Sequence, residues 1–302
     1  MTKRSKKTAT TKHLLITGGT GFIGKPLLLL LHHKGYRLTL LVHRARTVDP
    51  VLQKARTFKM VDKLQDIPDD ASIDGIINLA GTTVAKRWTK AYKEVLFKSR
   101  LETTENVIAL IRRLEKKPAF LLNASGIYDH TKPTKDFAHE LCAAWELCAK
   151  KAENLGVRVA LMRFGVVLGH GGGALAKMLP LFRLGLGGRL GSGTQVFSWI
   201  HLKDALRAIV YLAEHASLHG SFNVVAPQVV SNANFTAQLA NALHRPAFCH
   251  MPAFVVRLLF GEMGNALLLK GHPAVPKKLL EADFSFQFST LAEALQDLFP
   301  DH

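Results

Sequence analysis

Residues 17–24 read TGGTGFIG, and this glycine spacing constrains the chain more than any other stretch. Residues 13–16 just before it form a short apolar run, as a buried strand requires. Residues 23–32 after it are rich in leucine and read as a helix, with Gly35 placed to stop it. Gly18, Gly21 and Gly24 therefore fall on a strand-to-helix turn. In such a turn the first glycine permits a tight bend, the second lets a pyrophosphate approach the backbone, and the third lets helix and strand pack closely. The helix N-terminus adds free N–H groups and a positive dipole end. Thr20, Phe22 and Ile23 complete this candidate cofactor-binding turn. A glycine triplet alone is a weak signal and also fits an ordinary glycine-rich turn; the strand before and the helix after give it weight.

Downstream, strand-like and helix-like segments alternate, which predicts an α/β fold with a Rossmann-like, doubly wound parallel sheet. Strands are expected at 37–42, 58–61, 75–79, 119–124 and 158–164, and helices at 89–114 and 137–155, the latter stopped by Gly156. After Gly169 the texture changes to glycine-rich loops around a helix at 174–184. Helices at 202–215 and 232–243, a strand at 222–225 and a mostly helical stretch at 252–298 follow. The expected division is a basic, disordered tail at 1–12, a nucleotide-binding domain at 13–168, and a smaller, mostly helical substrate domain at 169–302. Strands near 195–200 and 222–225 are expected to return to the main sheet.

The chain has 302 residues and a formal net charge of +17. Such a charge suggests nucleotide phosphates, nucleic acid or an anionic surface as partners. Lys and Arg are scattered, however, without aromatic interleaving or a nucleic-acid fold signature, so a solvated basic surface is the preferred reading. No apolar run approaches the ~20 residues that span a bilayer, so no membrane partner is expected. The tail lacks the hydrophobic segment of a secretory signal. The three cysteines, Cys142, Cys148 and Cys249, have no metal-ligand spacing and fit a reducing cytoplasm. No metal site is expected from the scattered histidines either.

The motifs INLAG at 77–81, SRLETT at 99–104, RFGVVLG at 163–169 and FSWIHLKD at 197–204 join the glycine turn in a wider pattern. With PAFVVRLLFGEM at 252–263 and PKKLLEADFSF at 276–286, the chain resembles an atypical extended short-chain dehydrogenase/reductase of the NAD(P)-dependent epimerase-like kind. The narrower resemblance is to the subfamily with a C-terminal domain of unknown function. It implies a nicotinamide cofactor but not a substrate, because fold does not fix reaction.

The second strand ends Val42-His43-Arg44-Ala45-Arg46, with no acid to take a ribose 2′-hydroxyl. Arg44 beside His43 favours the 2′-phosphate, hence NADP(H), because a guanidinium grips phosphate in a bidentate fork. Asp62 is a candidate for the adenine amino group or a surface carboxylate. Asn78, Leu79, Ala80 and Gly81 are placed to pass the adenine ribose, as the resemblance implies, or to form a packing turn. Arg100 could reach the cofactor or pair with an acid, and Val166 is a further cofactor candidate.

In the superfamily a Ser holds the reacting oxygen, a Tyr moves the proton, and a Lys four residues later lowers the phenol pKa. Ser125 suits the first role. The Tyr and Lys positions hold Ala138 and Cys142, a departure that leaves Tyr128 as candidate acid or pocket wall. Cys142 reads as a buried, inert thiol. Arg189, Gln195, Trp199 and His201 are candidates to border the substrate pocket, although for His201 and Asp204 of that segment tying loops together is the preferred reading. The chain therefore reads as an NADP(H)-binding oxidoreductase or epimerase-like enzyme for a small carbonyl, hydroxyl or sugar-like substrate. The alternative is a non-catalytic NADP(H)-binding sensor or regulator.

Overall fold

A computed structural model of the chain describes residues 11–42, 48–128 and 136–300. The strands β1 (His13–Thr17), β2 (Arg37–Leu41), β3 (Phe58–Val61), β4 (Gly75–Asn78), β5 (Phe120–Gly126) and β6 (Arg158–Phe164) follow one another in sequence. Beyond them come β7 (Val166–Leu168), β8 (Val196–Phe197), β9 (Trp199–His201), β10 (Gly220–Val224) and β11 (Val230–Ser231). Seven of these make one parallel sheet in the order β10-β6-β5-β4-β1-β2-β3. Chain direction reverses its lateral progress at β1, which has β2 on one side and β4 on the other. In open α/β sheets ligands bind at that crevice, beyond the carboxyl ends of the strands.

The central strands are apolar on both faces because helices cover both. On one face α1 (Gly24–His33) buries Leu27, Leu28 and Leu31 against Leu14, Ile16, Leu38 and Leu40. The same layer takes in Ala205, Ile209 and Leu212 of α6 (Leu202–Glu214). On the other face α3 (Lys90–Arg113) buries Val107, Ile108 and Ile111 over Leu15, Ile76 and Leu121. The helix α4 (Phe137–Lys150) lies beside it, followed by a 3-10 turn that ends at Gly156 with φ 76°. Among the described residues, the connection from β2 to β3 holds the short α2 (Pro50–Gln53), and that from β3 to β4 a 3-10 turn at Leu64–Asp66.

The remaining helices are α5 (Leu175–Arg183), α7 (Asn232–Ala242), α8 (Ala253–Met263), α9 (Lys277–Glu281) and α10 (Leu291–Leu298). Of these, α5, α7 and α10 build a third core around Leu175, Phe182, Trp199, Phe235 and Leu295, while Met263 of α8 packs with Trp88 and Phe137 and Leu279 of α9 joins the first layer. The strand at 220–224 extends the main sheet beside β6, but the segment at 195–200 does not. Its β9 pairs with β7, and its β8 pairs with β11, in two small separate sheets. The break lies at Gly165, where an added Cβ would sit 2.7 Å from the Ser198 carbonyl oxygen. The backbone of 198 crosses there so closely that the chain leaves the main sheet and starts a new ladder.

Candidate functional site

The glycine turn joins β1 to α1 at the crevice. Gly18 has φ 69°, and a Cβ on it would lie 2.4 Å from the Leu79 carbonyl oxygen. Gly24 packs equally hard, because its Cβ would meet the Gly18 oxygen at 2.3 Å and the Gly19 Cα at 2.5 Å. Gly21 differs: the nearest atom to its Cβ would be the Gly18 oxygen at 3.2 Å. The protein itself therefore leaves more room at Gly21 than at Gly18 or Gly24, where a Cβ cannot be placed. Gly19, which the spacing rule does not single out, is packed too, its Cβ position 2.5 Å from Leu40 Cδ1. No side chain caps the first N–H groups of α1, and its first turn carries no acid. Phe22 turns back onto the protein. Its ring fills the space above Gly169, Gly172 and Gly173, where Cβ atoms would approach it to 3.1, 2.5 and 2.8 Å. The glycine-rich stretch after β7 is thereby explained as a seat for Phe22, and Val166 stands on the partly buried start of that strand.

Beneath the crevice runs a buried polar network. Asn78 is fully buried, and its amide donates to Thr104 Oγ1 at 2.9 Å and to Asn123 Oδ1 at 2.6 Å, while Thr17 Oγ1 donates to its carbonyl. Trp145 Nε1 donates to the same Thr104 hydroxyl at 2.9 Å. The Asn78 side chain thus ties β1, β4, β5 and α3 together, which leaves its backbone and Leu79, Ala80 and Gly81 as the part facing the turn. Arg100 is buried on α3 and pairs with no carboxylate among the described residues. Its guanidinium donates to the backbone oxygens of Leu96 (3.2 Å) and Thr82 (3.1 Å) and lies over the Trp145 ring at 5.1 Å. A Cβ on Gly81 would touch its Cζ at 3.1 Å, so Arg100 underlies the loop after β4. Burial lowers the pKa of Arg100.

Ser125, at the end of β5, is 5% exposed, and its Oγ meets no described residue in full hydrogen-bond geometry, although the Cys142 thiol and the Glu146 carboxylate lie beside it. A buried hydroxyl without a partner is costly unless a ligand completes it. Its polar neighbours are Cys142 and Glu146 on α4. Burial pushes the Cys142 thiol up, so it stays protonated at neutral pH. Burial alone would also raise the Glu146 carboxyl, but two hydrogen bonds from Arg163, at 2.7 and 2.6 Å, help hold it below its ordinary value. Tyr128 donates its hydroxyl to Glu146 Oε2 at 3.1 Å, and its ring packs between Arg163 and His139. Burial and the Glu146 charge push that phenol well above its usual value. It holds its proton more tightly than a free phenol, which suits a wall better than a proton donor. Ala138 sits partly buried beside the apolar group of Trp88, Phe137 and Met263.

The candidate substrate residues are not gathered in one place. Arg189 is exposed on the loop after α5. Gln195 is spent on the backbone, donating to the oxygens of Leu190 and Leu268 at 2.9 Å each. Trp199 and His201, expected at a pocket border, are instead interior, at 0% and 2% exposure. Trp199 belongs to the third core, and His201 caps α6, accepting from Lys203 N at 3.1 Å with its ring against Phe288. Asp204, fully buried, accepts from the backbone N–H groups of Gln287 and Phe288 and from Arg207. That clasp closes the C-terminal segment over Trp199 and His201, a contact across 83 residues that local sequence does not reveal. Asp62 is exposed just after β3. His43 and Arg44 lie outside the described residues, as do residues 1–10 of the tail. Among the described residues no cluster of three His, Cys, Asp or Glu could hold a metal ion.

A parallel sheet of this order, with a glycine turn at its reversal, defines a Rossmann-like nucleotide-binding fold. The chain belongs to the NAD dependent epimerase/dehydratase family, which matches residues 14–225, and it carries a domain of unknown function (DUF1731) over residues 251–298. An epimerase family protein of Staphylococcus haemolyticus is 36% identical over 299 residues, 95% of this chain and 99% of that protein. The human epimerase family protein SDR39U1 (isoform 2), solved with NADPH, is 32% identical with a TM-score of 0.84, covering 96% of this chain and 100% of that one. The UDP-glucuronic acid 4-epimerase of Bacillus cereus, solved with a fluorinated sugar nucleotide and NAD, shares the fold at 16% identity. Its TM-score is 0.74 over 95% of this chain and 98% of that one.

Proposed function

We propose that this chain binds NADP(H) at the glycine turn and acts as an oxidoreductase or epimerase-like enzyme on a small carbonyl, hydroxyl or sugar-like substrate. The observation that carries the reading is the contrast within the turn: Gly18 and Gly24 are closed by several backbone atoms within 2.8 Å of an added Cβ, whereas at Gly21 such a Cβ meets a single atom, the Gly18 oxygen, at 3.2 Å. An open glycine at a helix N-terminus is the cradle that a pyrophosphate needs, and a Cβ would fill it. The NADPH in the human relative's structure supports the same cofactor here. Arg44 and His43 are proposed to take the 2′-phosphate, Asp62 the adenine edge, and Leu79, Ala80, Gly81 and Val166 the walls. Arg100 is proposed to act from beneath, by fixing the loop after β4 through Thr82.

When bound, NADPH supplies a hydride at C4 of its nicotinamide. Ser125 Oγ, which meets no described residue in full hydrogen-bond geometry, is the hydroxyl proposed to hold a substrate oxygen. With Ala138 and Cys142 in place of the usual Tyr and Lys, no side chain there moves a proton through a lowered phenol pKa. General acid–base assistance is worth roughly 10²–10⁴ in rate, so turnover is expected to be slow by a factor in that range. The same departure favours a second reading, a non-catalytic NADP(H)-binding sensor.

The test follows NADPH consumption with aldehydes, quinones and keto-sugars for wild type, Ser125→Ala, Tyr128→Phe and Cys142→Ala. Turnover that falls in Ser125→Ala and persists in Cys142→Ala supports the placement of the chemistry. Loss in Cys142→Ala alone contradicts it. Normal NADPH binding with no turnover of any substrate moves the sensor reading ahead.

A further inference from the structure

Residues 154–203 and 215–261 contain no Asp or Glu. The fold brings parts of these two acid-free stretches side by side. Cys249 N donates to the Gly187 oxygen at 3.0 Å, Met251 N to the Arg189 oxygen at 3.0 Å, and Gly191 N to the Met251 oxygen at 2.8 Å. Leu186 bridges Ala247 in the same seam, and α8 starts two residues beyond Met251. Along this seam the apolar side chains stand out of the surface: Leu184 is 72% exposed and Phe248 87%. On α8, Phe254 and Leu258 are 68% and 69% exposed. These two are four residues apart and share one helix face, while Val256 and Met263 hold the opposite side in the interior. A surface helix normally turns mainly polar residues to water, whereas this one exposes Phe254, Leu258 and Leu259 beside only two charged residues, Arg257 and Glu262, the latter paired with Lys93. Around the apolar side chains stand Arg183, Arg189, Arg245 and Arg257, all exposed and none with a carboxylate partner among the described residues.

Exposed apolar patches of this kind mark surfaces that another body covers. A second copy is disfavoured, because it would bring the same cationic rim and another net charge of +17. A protein groove would have to accept four separately protruding side chains. An anionic bilayer meets both features at once: apolar side chains enter the acyl boundary, and guanidinium groups meet lipid phosphates. No described helix is long and apolar enough to cross a membrane, so the contact is a peripheral one. We propose that the face formed by Leu184, Phe248, Phe254 and Leu258 with its arginine rim docks on an anionic lipid surface. The positive charge of the C-terminal half then has a use beyond solvation, and the candidate site would work on or beside a membrane.

Co-sedimentation of the full chain with vesicles tests this, using equimolar phosphatidylglycerol and phosphatidylcholine against phosphatidylcholine alone. Binding is expected to the anionic vesicles, to fall as salt rises, and to be lost from the neutral ones. Arg183→Gln/Arg245→Gln/Arg257→Gln is expected to weaken it roughly a hundredfold, since each cation near such a surface is worth a factor of about five. Phe248→Ser/Phe254→Ser/Leu258→Ser is expected to weaken it at least about tenfold. Because these side chains are exposed, unchanged thermal unfolding and NADPH titration show that the variants fold. Equal binding to both vesicle types, no binding at 0.1 M salt, or unchanged binding by either variant overturns the proposal. A dimer in light scattering that the apolar variant dissolves, with no vesicle binding, also overturns it, in favour of a second copy.

Discussion

Gly24→Ala and Gly21→Ala separate the two physical roles of the glycine turn. At Gly24 an added methyl meets backbone on two sides, 2.3 Å from the Gly18 oxygen and 2.5 Å from the Gly19 Cα. Neither atom can yield without moving β1 or α1, so the start of the helix must lift from the strand. Overpacking of this kind costs roughly 1–3 kcal/mol. The helix-propensity gain of alanine over glycine, at most ~1 kcal/mol and smaller at a first helical position, offsets little of it. At Gly21 the sole close atom is 3.2 Å away, and φ is outside the left-handed region. There the neighbour gives by a few tenths of an ångström. The lower entropy of an unfolded alanine returns ~0.4–1 kcal/mol. Gly24→Ala is thus expected to lower the Tm of the cofactor-free protein by about 2–6 °C, and Gly21→Ala by about 1 °C or less. Differential scanning calorimetry without cofactor measures both. An equal loss in the two variants would refute the idea that Gly24 is a glycine for packing and Gly21 for a ligand.

Two further outcomes follow from the C-terminal clasp. Asp204→Ala strands the N–H groups of Gln287 and Phe288 and is expected to cost about 2–5 kcal/mol in urea unfolding; a loss below 1 kcal/mol would contradict the clasp. Burial lowers the pKa of His201 in the folded state, so its contribution to stability is fully present above the ordinary value of 6.5 and is lost as pH falls below it. His201→Gln is expected to flatten the decline of Tm between pH 6.5 and 5, and an unchanged decline would place that titration elsewhere.

The sheet was legible because its buried strands are continuous apolar runs between glycine and polar punctuation, as at Leu14–Ile16 and Ile76–Ile77. The turn was legible because three glycines there have local reasons to be glycine. The site was less so, because long-range contacts decide which side of the surface a residue takes. The loop-tying role preferred for His201 and Asp204 was readable, but the partner was not: Asp204 draws residues 287–288 across Trp199 and His201 from 83 residues away. Phe22 sits inside the turn motif, but its ring belongs to glycines 169–173, which lie about as far along the chain as β6. The separate ladder of β7 and β9 rests on three-residue strands, too short for a periodicity to show. Arg100 stood out as a cation on α3, and its use of the Leu96 and Thr82 carbonyls in place of an acid appears only in three dimensions.

Fluorescence titration of wild type and Gly21→Val with NADPH and with NADH tests the central claim most directly, with Arg44→Ala as the specificity control. Wild type is expected to bind NADPH more tightly than NADH, Arg44→Ala to lose that preference, and folded Gly21→Val to bind neither. Retained NADPH binding by folded Gly21→Val, or equal affinity of wild type for the two cofactors, would contradict it.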